Sequence, residues 1–377
     1  MEKIKMVAPC IFGIEGIAAD ELRRMGCENV AAENGRVLFE GDENILARAN
    51  INSRFSERIL INMGEFTATD FTSLFDGVKA LPWENYIGKE DAFPVTGYSI
   101  NSALHSIPDC QSIIKKAVVE RLKLKYGISW FNETGPEYKI KFSILKDKVT
   151  LMIDTSGEGL HKRGYRRSSN DAPLKETLAA ALCDTARIFP DTTLIDPFCG
   201  SGTILIEGAM MAAKIAPGLR RFFAAERFGA ISQTAWQQER MRAQDNILHN
   251  IEFTATGFDI DKNCVELTLA NAAKAGVKNY VKAVVRDVKD FVAPKDRCQI
   301  ITNPPYGERL LDVQAAEALY KTMGQRFTRG NGQKYCIISP HDEFEKFIGD
   351  TPDKRRKLYN GMIKCQAFLY FKNKEKL

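Results

Sequence analysis

Asn303, Pro304, Pro305 and Tyr306 stand in a row directly after the apolar run Cys298–Gln299–Ile300–Ile301–Thr302. A proline has no amide hydrogen and cannot continue a sheet ladder, so these four residues predict a stiff loop at the carboxyl end of a buried strand. In an open α/β sheet that is where ligands bind. The loop offers two acceptors close together, Asn303 Oδ1 and the Pro304 carbonyl. Such a pair suits a planar exocyclic amine, whose two N–H groups they could take while turning its lone pair out of conjugation. Pro305 would stiffen the corner, and Tyr306 would give a nucleobase a face to stack on. Orientation and charge stabilisation would then supply the catalysis.

A second constellation lies upstream. Asp196–Pro197–Phe198–Cys199–Gly200–Ser201–Gly202–Thr203 follows the apolar run Thr193–Ile195 and leads into Ile204–Leu205–Ile206. This is a strand, a glycine-rich turn and a helix; Gly200 and Gly202 allow a tight turn and a close approach to a ligand. The turn lacks both the full GxGxxG spacing and the Lys-Ser/Thr of a P-loop. Asp259 closes the next strand in Gly257–Phe258–Asp259–Ile260, where an acid can hold a ribose hydroxyl pair. Asp287 closes a third, with Val288 placed to meet a purine ring. A ribose clamp, an adenine clamp and an acid-flanked turn without a phosphate-binding lysine suit S-adenosylmethionine, which has no phosphates. The expected cofactor residues are Asp196, Phe198, Gly200, Gly202, Thr203, Asp259, Ile260, Asp287, Val288 and Asn303.

Transfer of a methyl group from a sulfonium is an in-line displacement with a neutral leaving group, so no covalent nucleophile is needed. Cys199 as an attacking thiol would leave the Asn-Pro-Pro-Tyr loop without a purpose. A lone His161 in a basic segment reads as structural or phosphate-facing. The nine cysteines form no C-x-x-C pair and the four histidines lie far apart, which predicts a reducing, cytoplasmic setting and no metal centre. The apolar stretches are too short and too polar to span a bilayer, and the first residues lack the long apolar core of a secretory signal.

The elements that must position these residues divide the 377-residue chain three ways. Residues 1–64 alternate as β-α-β-β-α-β, the pattern of a ferredoxin-like fold. Residues 65–157 form another α/β unit. It has a long helix from Asp109 to Gly127 and a hairpin turning at Lys146–Asp147–Lys148. From 158 to 377 strands and helices alternate, which implies a parallel doubly wound sheet, closed by an antiparallel pair. The net charge of +5 is uneven, acidic over the first 160 residues and basic beyond. Basic runs occur at 161–167, at Arg220–Arg221 and at Lys354–Lys357. The expected phosphate contacts are Lys115, Lys116, Arg121 and Lys123 on the long helix, Lys162, Arg163, Arg166 and Arg167, and Arg220 and Arg221. For the helix, an RNA-facing surface and a merely solubilising one weigh equally on the residues alone, since no aromatics interleave the lysines.

The motifs together resemble the THUMP-domain class I RNA methyltransferases, above all the RlmL-type enzymes that make N2-methylguanosine in large-subunit ribosomal RNA. The resemblance rests on Gly159–Arg166 with Ala172–Leu182, on the turn and following helix at 194–219, on the acids at 259 and 287, and on Thr302–Leu310. It covers 158–377 by motif and 1–157 by layout. It implies an N-terminal ferredoxin-like domain and a THUMP domain that hold RNA, ahead of a Rossmann-like domain that does the chemistry, and it implies that the long insertion at 214–250 faces substrate. Ribosomal RNA is the first expectation and transfer RNA the alternative. An N6-adenine or N4-cytosine methyltransferase uses the same loop, as does a glutamine-directed protein methyltransferase. An RNA-binding assembly factor with a vestigial cofactor site is the non-enzymatic alternative.

Overall fold

The computed structural model describes residues 3–166, 174–294, 296–306, 313–330 and 332–372. Its first sheet begins with β1 (Ile4–Pro9), α1 (Glu15–Arg24), β2 (Glu28–Glu33), β3 (Arg36–Gly41), α2 (Glu43–Asn52) and β4 (Leu60–Thr67). Asp42 caps α2 by accepting from Ile45 N at 2.9 Å, relieving one of the helix's orphan amides. The chain continues through α3 (Phe71–Ala80), β5 (Val95–Ile100), α4 (Ile107–Tyr126), β6 (Ile140–Leu145) and β7 (Lys148–Asp154). Helix α4 begins at Ile107, with Ser106, three residues before the expected Asp109, at its N-cap and Pro108 in its first turn, and it ends at Gly127 with φ +66°. The turn between β6 and β7 places Lys146 and Asp147 at φ 50° and 64°, a pair of left-handed residues suited to a tight hairpin.

All seven strands make one sheet, in the order β2-β3-β1-β4-β7-β6-β5. The ferredoxin-like unit and the following unit are fused through the antiparallel β4–β7 ladder, from Leu60↔Asp154 to Thr67↔Lys148. The boundary expected between residues 64 and 65 therefore falls inside a strand that serves both units.

The second sheet is built from β8 (Thr193–Asp196), β9 (Thr254–Asp259), β10 (Val281–Val285), β11 (Cys298–Thr302), β12 (Gln333–Ser339), β13 (Lys354–Asn360) and β14 (Ile363–Tyr370). Its helices are α5 (Glu176–Thr185), α6 (Thr203–Ala212), α7 (Gln233–Asp245), α8 (Lys262–Ala275), α9 (Val313–Arg326) and the short α10 (Phe344–Ile348). The order is β10-β9-β8-β11-β12-β14-β13, with β8 to β12 parallel and β14 antiparallel to β12. The strand order reverses between the neighbours β8 and β11, so the crevice opens at their carboxyl ends.

Two cores sandwich this sheet. One, under α9 and α10, gathers Ile195, Phe291, Ile300, Tyr320, Met323, Ile337 and Phe344. The other runs on without a break from Leu194, Ile301 and Cys336 into the N-terminal sheet, through Leu178, Leu205 and Ile51. The two sheets thus share a buried junction.

One side of the insertion at 214–250 packs at that junction. Helix α7 packs on α2, and Arg48 forks onto Glu239 at 2.8 and 2.7 Å. Phe228 stacks on Tyr138 with ring centroids 3.8 Å apart, and Gly229 N donates to the Tyr138 hydroxyl at 2.9 Å. Gly218 N donates to Ile51 O at 2.8 Å, and a Cβ at Gly218 would collide with that carbonyl. Phe223, Phe228, Trp236, Arg221 and Arg240 of this segment are buried or half-buried there, while Arg220, Phe222, Arg227, Met241 and Arg242 are exposed.

Candidate active site

The glycine-rich turn is fixed by its neighbours before any ligand arrives. Gly200 and Gly202 have φ +52° and +80°, conformations costly for residues with a Cβ. Beyond Gly200 a Cβ would meet nothing within 4 Å, so the turn leaves an open cradle there, whereas at Gly202 it would strike Thr268 Cγ2 at 2.7 Å. Cys199 N donates to Phe258 O at 2.9 Å, and Gly200 N donates to Asp259 Oδ2 at 2.9 Å. From α8, Thr268 Oγ1 donates to Gly200 O at 2.8 Å and Asn271 Nδ2 to Ser201 O at 3.0 Å.

Thr268 and Asn271 were not anticipated from the sequence. The available signal was their spacing: two polar residues three apart on the buried face of a helix, which sequence reading takes for surface.

Asp196 ends β8 inside the protein. Its Oδ1 accepts from Phe198 N at 3.0 Å and from the Thr302 hydroxyl at 2.6 Å. Burial pushes this carboxyl up to about 7, against those two donors, and the Asp259 charge adds to the rise. Thr302 is the last residue of β11 and immediately precedes Asn303. One short hydrogen bond thus ties the strand end that carries the glycine-rich turn to the strand end that carries Asn303. Nothing in the sequence around Thr302 points to this bond.

At the corner itself, Asn303 and Pro305 are half-buried and Pro304 is buried. Tyr306 is also buried, and its hydroxyl accepts from Asn360 Nδ2 at 3.2 Å. Its ring is therefore a wall of the corner rather than the open stacking platform expected. The Gly307–Glu308–Arg309 that follows lies outside the described residues, as does Arg167.

The other cofactor candidates converge on the same end of the sheet. Asp259 accepts from Gly200 N and, through Oδ1, from Asp261 N at 3.0 Å, leaving lone pairs on both oxygens for a diol. Ile260 beside it is 73% exposed, an apolar residue held at the crevice with nothing covering it. Asp287 follows β10 and accepts from Lys289 N at 2.9 Å; that amide and the Lys289 ammonium hold its carboxyl below the usual range. Val288 is buried and Phe198 half-buried. Thr203 is turned inward, accepting from Arg166 Nη2 at 2.8 Å. An open glycine cradle, a diol-accepting carboxylate and an uncovered aliphatic side chain fit a nucleoside with an amino-acid tail.

The thiol of Cys199 is buried and pushed far above its ordinary value by that burial, which removes it as a nucleophile. His161 Nδ1 lies 3.1 Å from Glu57 Oε2. Burial would raise the Glu57 carboxyl, yet His161, Thr177 and Lys175 together hold it down at about 2. His161 belongs to this structural cluster.

The expected phosphate contacts divide sharply. Arg163 is a correction: its side chain is 1% exposed, it faces Glu207 at 3.4 Å, and it donates to Leu160 O at 2.7 Å and Arg54 O at 2.6 Å. Arg221 is another, turned onto the carbonyls of Glu158, Gly159 and Lys162 at 2.7, 2.9 and 3.0 Å. Arg166 is held by Thr203, by Leu174 O and by Glu176 at 3.5 Å. On α4, Lys115 pairs with Glu133, Arg121 with Glu84 and Lys123 with Glu120. Exposed are Lys116, Lys162, which reaches Glu158 at 3.3 Å, and Arg220. Among the described residues no carboxylate pairs with Lys116 or Arg220.

With this geometry established, comparison with known proteins is specific. Residues 163–368 match the family model described as RMKL-like, methyltransferase domain; residues 5–60 match the RlmL ferredoxin-like domain and 68–154 the THUMP domain. The chain is 41% identical over 373 residues to YpsC of Bacillus subtilis, described as a candidate RNA methyltransferase, covering 98% of this chain and 97% of that one. It is 34% identical over 366 residues to the ribosomal RNA large subunit methyltransferase K/L of Psychromonas ingrahamii, covering 95% of this chain but only 49% of that longer protein.

Among solved structures, SMU.472, described as a candidate methyltransferase complexed with SAH, matches at TM-score 0.94 and 40% identity over 100% of both chains. A Listeria monocytogenes protein described as a predicted N6-adenine-specific DNA methylase matches at TM-score 0.92 and 41% identity, over 98% of this chain and 97% of that one.

Proposed function

Because the chain belongs to the RMKL-like methyltransferase family, with an RlmL ferredoxin-like domain and a THUMP domain ahead of the catalytic domain, we propose that it transfers a methyl group from S-adenosylmethionine to the exocyclic N2 amine of a guanosine in RNA, in the cytoplasm, with 23S ribosomal RNA as the substrate. The observation that carries the reading is the Thr302–Asp196 hydrogen bond, which locks the amine-accepting corner to the cofactor turn. The relative named for large-subunit ribosomal RNA supports the choice of RNA, and the relative complexed with SAH, the product left when S-adenosylmethionine gives up its methyl, supports the cofactor.

S-adenosylmethionine supplies an electrophilic methyl on a positive sulfur. In this reading Asp259 takes the ribose hydroxyls, Asp287 and Val288 take the adenine, and Asp196, Phe198 and the Gly200–Thr203 turn surround the amino-acid end, with Ile260 against the nucleoside. Asn303 Oδ1 and the Pro304 carbonyl accept the two N–H groups of the target amine. Its lone pair is then turned out of the ring and forms the new N–C bond as the S–C bond breaks. The electron pair of that bond stays with sulfur, and the surplus proton leaves to water. A guanine amine inside a duplex cannot reach this corner, so the base is taken unpaired or flipped out. The units 1–64 and 65–157 hold the RNA and 158–377 the chemistry. Of the phosphate contacts, Lys116, Lys162 and Arg220 are kept as RNA-facing.

The test is tritium transfer from labelled S-adenosylmethionine to RNA of a strain lacking the gene, with Asn303→Ala as control. Loss of one positioned acceptor lowers turnover by about 10²- to 10³-fold. Equal labelling by both proteins removes Asn303 from the mechanism. Nucleoside mass spectrometry of the labelled RNA, separated into ribosomal and transfer fractions, must show N2-methylguanosine. N6-methyladenosine instead would establish the second reading, which the description of the Listeria relative favours.

A further inference from the structure

The run Lys354–Arg355–Arg356–Lys357 has no part in the chemistry above, and its strand alternation splits it in two. Arg355 pairs with Glu345, and Lys357 lies over the Tyr359 ring on the outer edge. Lys354 and Arg356 instead line a cavity of about 370 Å³ at the amino end of the second sheet. Its lining includes Gln299 from the start of β11, Cys336 from β12, and the residues at and just beyond the end of α5. The catalytic corner lies at the opposite end of β11.

Four cations from three stretches of chain converge there: Arg187, Lys334, Lys354 and Arg356. Among the described residues none has a carboxylate within ion-pair distance; Arg356 donates only to Thr185 Oγ1, at 3.4 Å. One acid, Asp184, shares the cavity, and its carboxyl is raised by burial against the pull of Arg24 and Arg356. Gln299, 5% exposed, presents a neutral polar side chain to the same cavity.

We propose that this cavity binds a sugar-phosphate of the RNA substrate, remote from the reacting base. Guanidinium and ammonium groups at the mouth take the phosphate oxygens, and the Gln299 amide, donor and acceptor at once, takes a sugar hydroxyl or base edge. The volume matches a nucleotide-sized group rather than a lone ion. Arg24 on α1 extends the basic strip beyond the cavity, which fits a chain of phosphates better than a single one. Such a site would anchor the RNA across the back of the domain while its target base occupies the corner. The inference rests on the RNA reading above.

The experiment compares wild type with Lys334→Ala/Lys354→Ala, and separately with Gln299→Leu, for binding of a fluorescent ribosomal RNA transcript from about 50 to about 200 mM KCl. The double variant loses about one unit of log–log salt slope per lysine and weakens binding about tenfold, with melting temperature and S-adenosylmethionine affinity unchanged. Lys334→Arg/Lys354→Arg restores the slope. Gln299→Leu weakens binding without changing the slope.

A folded double variant with wild-type slope and affinity overturns the proposal. If instead AMP at millimolar concentration protects only the wild type from unfolding while RNA binding is the same in both, the site takes a free nucleotide and the RNA assignment is wrong. A wild type that binds RNA with the expected slope loss in the variant, yet labels no RNA, refutes the methyl-transfer reading and leaves this site standing.

Discussion

Asp196→Asn separates the cost of a buried charge from the hydrogen bonds that surround it. Asparagine keeps an oxygen for the Phe198 amide and the Thr302 hydroxyl and removes only the ionisation. Burial raises the Asp196 carboxyl from 3.8 to about 7 in the folded protein. With a folded value above the unfolded one, the unfolded chain gives up its proton first, and stability falls as pH rises. The contribution is whole below about 3.8, falls by about 1.4 kcal/mol per pH unit between the two values, and levels off above about 7.

Between pH 5 and pH 8 the wild type therefore loses about 2.5 kcal/mol through this one group, and Asp196→Asn loses nothing through it. Other acids titrate alike in both proteins and cancel. Urea unfolding followed by circular dichroism at the two pH values should show the variant gaining that amount on the wild type. A difference that stays constant within about 0.5 kcal/mol would mean that Asp196 is already ionised in the fold, and the desolvation argument would be wrong.

Arg163→Met takes from the fully buried Glu207 the guanidinium that faces it at 3.4 Å, leaving it the Tyr165 hydroxyl at 3.1 Å and the more distant charge of Arg54. The expected loss is about 3–5 kcal/mol by thermal or urea unfolding. The salt slope of RNA binding by the folded fraction should not move; a drop of one unit would return Arg163 to the surface. Gly202→Ala sets a Cβ against Thr268 at a positive φ. It should displace the Thr268 bond to Gly200 O and weaken S-adenosylmethionine about tenfold by calorimetry, while Gly229→Ala, where a Cβ meets nothing within 4 Å, has no effect. Arg48→Ala strips Glu239 of its bidentate partner at the α2–α7 clasp. About 2 kcal/mol should be lost, with hydrogen exchange accelerating in α7 before it does in β8–β12; uniform acceleration would show that the clasp is not a separate unit.

Much of the site was legible because its signals are local. Proline's missing N–H places Asn303–Tyr306 outside the ladder whatever surrounds it, and Gly200 and Gly202 stand where the backbone needs positive φ. Acids at the ends of apolar runs mark strand termini, and in a parallel sheet all such termini face one crevice. The alternation of strands and helices carried the architecture for the same reason, since periodicity is a property of neighbours along the chain. The partners of those residues were not legible. Thr302 reaches Asp196 across 106 positions, and Thr268 and Asn271 look like ordinary polar helix residues until α8 is laid against the turn.

Charge is where sequence and fold part company. A run of arginines declares its composition but not its direction. Arg163 and Arg221 turn inward because the junction between the two sheets exposes carbonyls and Glu207 that only a guanidinium can satisfy together. The same junction takes up one side of residues 214–250, and the β4–β7 ladder fuses two units into a single seven-stranded sheet. By itself the sequence determined which residues could do chemistry and at which end of a strand they would stand. Only the tertiary structure decided which charges were left over for a partner, because that depends on which buried groups, far apart in the chain, had to be neutralised first.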